Sequence, residues 1–307
     1  MPEARRRTAT DGASMSRHAA QRTDGLAGYL FLLPACLLLL VFRVFPAGSA
    51  VWHAFTAWDG VQAPSYIGAA NFAELLRDKV FWSAITNNFL IVLTIPLWLL
   101  VSLVLALLIH QEVFGWRFFR AAFFLPSVLS PVIIGTLFAA FLGPSGPVNQ
   151  VLKAVGLRFL ALEWLGNPHS ALPTLIVVIL WGIFGHGVIV FLAGLAAVPK
   201  EVFEAARIDG ATGWIYLWRI VVPSLRHVIE FWGVNLVVWS FTSLFAFIYV
   251  MTQGGPGYAT MLVSYQVYQQ AFEANRMGYA CAVGTALFLM VFGLVLLQIR
   301  LMAGKED

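Results

Sequence analysis

Few side chains in this sequence can do chemistry, and most of those sit inside long apolar runs. Asn235, Trp239, Thr242 and Ala246 follow one another at intervals of four, three and four, which places them on one face of a helix. An indole beside an amide and a hydroxyl offers a stacking surface and neutral hydrogen bonds, the contacts a sugar would meet. His186 stands in another apolar run among Gly182, Gly185 and Gly187, where small residues let helices approach and an imidazole can reach across a gap. Asn87, Asn88 and Thr94 are of the same kind in a third run. Each group has two readings, packing and hydrogen bonding between helices or lining a solute path, because a polar group left unpaired against lipid is costly.

Other chemistries are excluded by spacing. His18, His53, His110, His169 and His227 are dispersed, without the paired spacing of a zinc site, so neither metal nor cofactor is expected. A nucleophile elbow of the form G-x-S-x-G is absent, and the Gly-Lys pair at 304–305 precedes Glu306, which rules out a phosphate-binding loop. The chain is therefore read as no enzyme, with ATP hydrolysed elsewhere. Cys36 and Cys281 both lie in apolar runs and read as small buried residues. Glu230 stands four residues after Arg226, the spacing of a helical ion pair.

The elements that carry these residues follow from composition. Sixty per cent of the 307 residues are hydrophobic and 11% charged, against about a quarter charged in soluble domains, so lipid is the solvent. Backbone groups there must be satisfied internally, and long apolar runs do that as helices. A span needs about 20 mostly apolar residues, and the runs 26–48, 82–110, 118–142, 171–194, 226–251 and 277–300 qualify. The expectation is an all-α polytopic membrane protein of about six spans, with kinks at Pro34, Pro96 and Pro131. Residues 1–25 read as a disordered tail, 26–300 as one transmembrane domain and 301–307 as a second tail. The first run follows positive charge as a secretory leader would, and Ala47, Gly48 and Ser49 resemble a cleavage site; the reading adopted is an uncleaved span.

Basic residues orient the spans. One side carries the arginines of residues 1–25, then Arg117, Arg120, Lys200, Arg207, Arg219, Arg226, Arg300 and Lys305; the other carries Arg77, Lys79, Lys153, Arg158 and Arg276. Both termini are therefore placed in the cytoplasm, with Arg43 snorkelling from the far end of the first span. The basic residues are scattered rather than gathered on one face, which excludes nucleic acid as a partner. Trp52, Trp58, Trp82, Trp164, Tyr258 and Tyr265 on the outer side are rings suited to the headgroup level.

The most patterned stretch is the cytoplasmic loop 198–225, VPKEVFEAARIDGATGWIYLWRIVVPSL. Pro199 suits a first helical position and Gly210 a left-handed cap, Thr212 then caps a second short helix, and Pro223 terminates it. The loop should be a helix-turn-helix outside the membrane. Its exposed face is expected to combine Glu204 with the small pair Ala205 and Ala206, a surface another protein can approach closely.

At these residues the chain resembles the inner-membrane permeases of bacterial ABC importers. Their signature loop reads EAA, three residues, Gly, nine residues, Ile-x-Leu-Pro; here Glu204, Ala205, Ala206, Gly210, Ile220 and Pro223 fall at those spacings, with Val222 in place of Leu. The resemblance runs over residues 26–300. FFRAAFFLPSVLSPVI at 118–133, WGIFGHGVIVFLAGLAAVP at 181–199 and MTQGGPGYATMLVSYQVYQQAF at 251–272 resemble the carbohydrate-uptake branch, the maltose and glycerol-phosphate type. Ala246, where many relatives carry Asp, and His186 depart from that pattern. The resemblance implies transport of a sugar, or of a related solute such as glycerol phosphate, across the bacterial inner membrane. It also implies a second, different permease subunit, two copies of an ATP-binding subunit and an extracytoplasmic solute-binding protein. Glu204, Ala205, Ala206, Asp209, Gly210, Ile220 and Pro223 would couple to the ATPase, while His186, Asn235, Trp239 and Thr242 are the candidates for the solute path. An ion-coupled transporter would need charges at mid-membrane, and these runs offer almost none.

Overall fold

The computed structural model describes residues 30–303, so the reading of residues 1–25 as a tail lies outside the described residues. Two units are distinguished, residues 1–52 and 53–307. The described part of the first, residues 30–52, belongs to an apolar helix, α1 (Leu30–His53), which contains Pro34 and widens into a π turn over Leu40–Val44.

In the second unit, a short antiparallel hairpin pairs Thr56 with Tyr66 and Ala57 with Ser65. Inside its loop the Asp59 carboxylate accepts the backbone N–H groups of Val61 and Gln62 at 2.9 and 2.8 Å, and these bonds hold its carboxyl below the usual range. Helices then follow: α2 (Ala70–Leu75), α3 (Lys79–Leu93), α4 (Ile95–His110), α5 (Trp116–Val128), α6 (Pro131–Phe141), α7 (Pro147–Ala154) and α8 (Pro168–Ala197). After these come α9 (Lys200–Ile208), α10 (Gly213–Ser224), α11 (Arg226–Thr242), α12 (Phe245–Met251), α13 (Val263–Tyr268) and α14 (Met277–Ala303).

Among the described residues, four helical stretches are long and apolar enough to cross a membrane, or up to six if each bent pair is one span. They are α1, α3 with α4, α8 and α14. At 1.5 Å per residue the 30 residues of α8 reach roughly 45 Å, beyond a hydrocarbon core of about 30 Å.

Two expected spans are not continuous. The run 118–142 is two helices bent by 100° rather than one helix with a local kink. Leu129 and Ser130 are extended, with ψ of 143° and 139°; Ser130 precedes Pro131, and a residue before proline is driven from the helical region. The Ser130 hydroxyl then accepts the Val132 N–H and caps α6. The run 226–251 breaks at Ser243 and Leu244, between α11 and α12. The half-length helices α6 and α12 pack together, and Gly135 meets Val250 and Met251 there. Pro96 occupies the first turn of α4 after a break at Thr94, whose hydroxyl donates to the Ile91 carbonyl.

Polar groups tie the end of this unit opposite the 198–225 loop. Asp78 caps α3 through the Val80 N–H, and its other oxygen accepts from Gln266 at 2.8 Å and Tyr279 at 2.7 Å. Asn88 donates to the Ser240 carbonyl and accepts the Val263 N–H, while Asn87 donates to the carbonyls of Tyr258 and Met261. Both asparagines thus take the packing reading. Tyr265 is corrected: it is 3% exposed and packed against Phe245, Tyr249 and Tyr268, because α13 folds back onto the bundle. Arg226 and Glu230 form the expected ion pair at 2.9 Å.

Candidate functional site

The polar residues singled out on α8 and α11 converge. A cavity of about 470 Å³ is lined by His186, Asn235, Trp239 and Thr242, together with Ser127, Trp232, Ser243 and Phe247. Asn235 lies nine residues into its span from Arg226 and His186 eleven from Ala197, so both sit roughly 15 Å from the loop end. That is about half of the hydrocarbon thickness.

Neither Asn235 nor Thr242 bridges to a neighbouring helix. The Asn235 amide donates to the Phe231 carbonyl at 2.8 Å, and the Thr242 hydroxyl to the Val238 carbonyl at 2.9 Å, each four residues back on its own helix. The Thr242 oxygen also lies 3.2 Å from the Ser243 hydroxyl, while the carbonyl oxygen and second amide hydrogen of Asn235 are left for the cavity. Trp239 packs edge-on against the buried Trp98 and also forms cavity wall, so packing and lining coexist in one residue. His186 has no hydrogen-bond partner among the described residues and is exposed to the opening. Among the described residues, His186 is also the sole titratable side chain in the wall, and no Lys, Arg, Asp or Glu lines the cavity.

Glycines make the convergence possible. A Cβ on Gly187 would come within 2.5 Å of the Ser102 hydroxyl and 2.9 Å of the Trp232 indole nitrogen. Three helices, α4, α8 and α11, therefore meet only where that side chain is a hydrogen.

The cavity wall differs from the expected set at three residues. Ala246 is corrected: α11 ends at Thr242, so the interval of four does not carry past the break, and Ala246 is not in the cavity wall. Ser127 and Trp232 were missed. Trp232 sits three residues before Asn235 on the same face, a signal that was available, whereas Ser127 enters through the α5 to α6 bend.

The 198–225 loop is the helix-turn-helix expected. Gly210 has φ of +74°, the Asp209 N–H bonds the Ala205 carbonyl and the Ala211 N–H bonds the Ala206 carbonyl. The second of these is the six-to-one bond of a Schellman ending. Thr212 holds the cap position of α10 without a side-chain bond. Pro223 does not end α10 at once: a π turn over Leu217–Val221 precedes it and the helix runs on to Ser224. That wider turn spares the missing N–H. A bend of 79° then leads into α11.

The face expected of the loop needs one correction. Glu204 and Ala205 are exposed, but Ala206 is 4% exposed. Three residues after Phe203, it shares that residue's inward face. Phe203, Ala206, Tyr216, Leu217, Val221 and Leu225 form one core with Leu103, Leu107, Phe191 and Leu195 of α4 and α8. The loop is thus packed onto the ends of two spanning helices, with Glu204, Asp209 and Gly210 facing outward, Ile220 half-buried and Pro223 exposed.

The family model described as binding-protein-dependent transport system inner membrane component matches residues 67–302. A probable ABC transporter permease protein of Pyrococcus horikoshii is 36% identical, over 87% of this chain and 92% of its own. The multiple sugar-binding transport system permease protein of Streptococcus mutans is 33% identical, over 89% and 94%. A solved bacterial ABC transporter involved in the import of the acidic polysaccharide alginate has a chain that matches with a TM-score of 0.78 at 26% identity, over 93% of this chain and 98% of that one.

Proposed function

This chain belongs to the family of inner membrane components of binding-protein-dependent transport systems, and from that membership we propose that it is the permease of a sugar importer and not itself an enzyme. It pairs with a second, different permease and lies in the bacterial inner membrane with both termini in the cytoplasm. A solute-binding protein delivers the cargo from outside, and two ATP-binding subunits drive the pair from the cytoplasm through the 198–225 loop.

The observation that carries the sugar reading is the uncharged wall of the half-depth cavity. Trp239 offers a face for a sugar ring, and Asn235, Thr242 and His186 offer neutral donors and acceptors. A phosphate-bearing solute would need a cation in that wall, so a neutral saccharide is favoured.

The loop supports the coupling. Glu204 presents a carboxylate to a cation of the ATPase, with Ala205 leaving room for close approach and Asp209 and Gly210 shaping the tip. Ala206 and Ile220 hold that surface to α4 and α8, and Pro223 stands exposed near the end of α10. ATP binding favours one arrangement of the permease pair and hydrolysis the other, because only a difference in affinity between two states can move their balance.

The test is uptake of a labelled oligosaccharide into proteoliposomes holding the assembled transporter. Uptake that requires ATP and the binding protein, and that weakens in Trp239→Ala, is expected. Accumulation by this chain alone, driven by an ion gradient, would overturn the reading.

A further inference from the structure

We propose that the groove between α5 and α8 at the loop end is a binding site for one anionic phospholipid of the cytoplasmic leaflet. The groove measures about 680 Å³, and Arg117, Arg120, Phe124, Ile189, Leu192 and Ala193 line it. It is separate from the solute cavity. On α8 the groove residues are centred roughly a quarter-turn around the helix from Gly182, Ile183 and His186, so the groove opens on another flank.

Its chemistry is divided. Arg117 and Arg120 stand one turn apart on the same face of α5, both exposed, and among the described residues neither forms an ion pair. The Arg117 guanidinium lies 5.4 Å from the ring of Trp116, an indole suited to headgroup depth. Every other lining residue is apolar or glycine. Along α8, Gly185 to Ala193 covers roughly 12 Å, close to the half-thickness of about 15 Å that one leaflet fills.

Two guanidiniums at the mouth of an apolar trough match a phosphodiester carrying an acyl chain. Basic pockets between spanning helices on the cytoplasmic side hold anionic headgroups for this reason. Free phosphate would have no use for the trough, and a partner helix seated there would have to bring carboxylates to the two arginines. The sidedness rests on the orientation proposed above.

The test takes the assembled transporter in nanodiscs of equal phosphatidylglycerol and phosphatidylcholine, with the lipid retained after re-extraction counted by native mass spectrometry. Wild type should keep phosphatidylglycerol selectively. R117Q/R120Q should lose it by about thirtyfold, each arginine near the surface being worth roughly fivefold. Ala193→Trp, which fills the trough and keeps both charges, should lose it too, so the prediction stands even if the double variant fails to insert. Equal retention of both lipids by wild type, unchanged retention in the variants, or a cysteine at 193 that cross-links to another subunit instead of lipid would overturn the proposal. Normal ATP-driven uptake beside any of those results would leave the transport reading intact, whereas selective lipid retention without such uptake would sink the transport reading alone.

Discussion

At the scale of the residue, Gly210, Glu204 and Trp239 each carry a separate expected outcome on substitution. Gly210 ends α9 at φ of +74°, a region that costs an L-residue roughly 1–2 kcal/mol and that a β-branched residue scarcely visits. Gly210→Val should therefore remodel the tip of the loop while the spans insert normally, and ATP-driven uptake should fall with membrane abundance unchanged. Glu204→Arg is expected to do the same through charge; undiminished uptake together with undiminished co-purification of the ATPase would refute both. In the cavity, Trp239→Ala removes the one indole that both lines the wall and meets Trp98. Uptake at low solute should drop about threefold to tenfold, and loss of protein from the membrane instead would assign Trp239 to packing alone.

At the scale of the element, the 198–225 loop acts as a piece of the bundle. Phe203 is 8% exposed and lies 5.6 Å from His110 and 6.3 Å from Tyr216, ring to ring. Phe203→Ala should cost about 3–5 kcal/mol locally, seen as faster hydrogen exchange over 200–222 and weaker ATPase coupling. Exchange indistinguishable from wild type would show that the loop is held by something other than this core. The pattern of helix, glycine and helix was legible from residue types, since caps and prolines act locally. Which alanine of the pair faces inward was not, because that depends on what the loop lies against. The bend between α5 and α6 lies in between: Ser130 and Pro131 announce a break, but its 100° angle is set by the helices packed on either side.

At the scale of the whole molecule, the broken helices α6 and α12 meet as a pair, and the polar residues of α8 and α11 face one space about half-way across the bilayer. A permease that alternates access needs such a site between mobile elements. Orientation is open to direct measurement in cells, with Cys36 and Cys281 replaced and single cysteines introduced at position 62 or 204. An impermeant thiol reagent applied from outside should label position 62 and spare 204. The reverse pattern would place the loop outside the cell, beyond reach of any ATPase.

What the sequence alone determined here is everything written in local chemistry or in solvent preference. Apolar runs of span length must be helices in lipid, Gly210 must end a helix, and a loop with that signature spacing identifies its kin. The tertiary structure decided the rest. Asn235 and His186 are some fifty residues apart in the chain, and periodicity within one helix is silent about which face another helix turns toward it. Gly187 shows the reason: three helices approach within the space of one missing methyl, and such an approach is a property of packed surfaces, not of any segment read by itself.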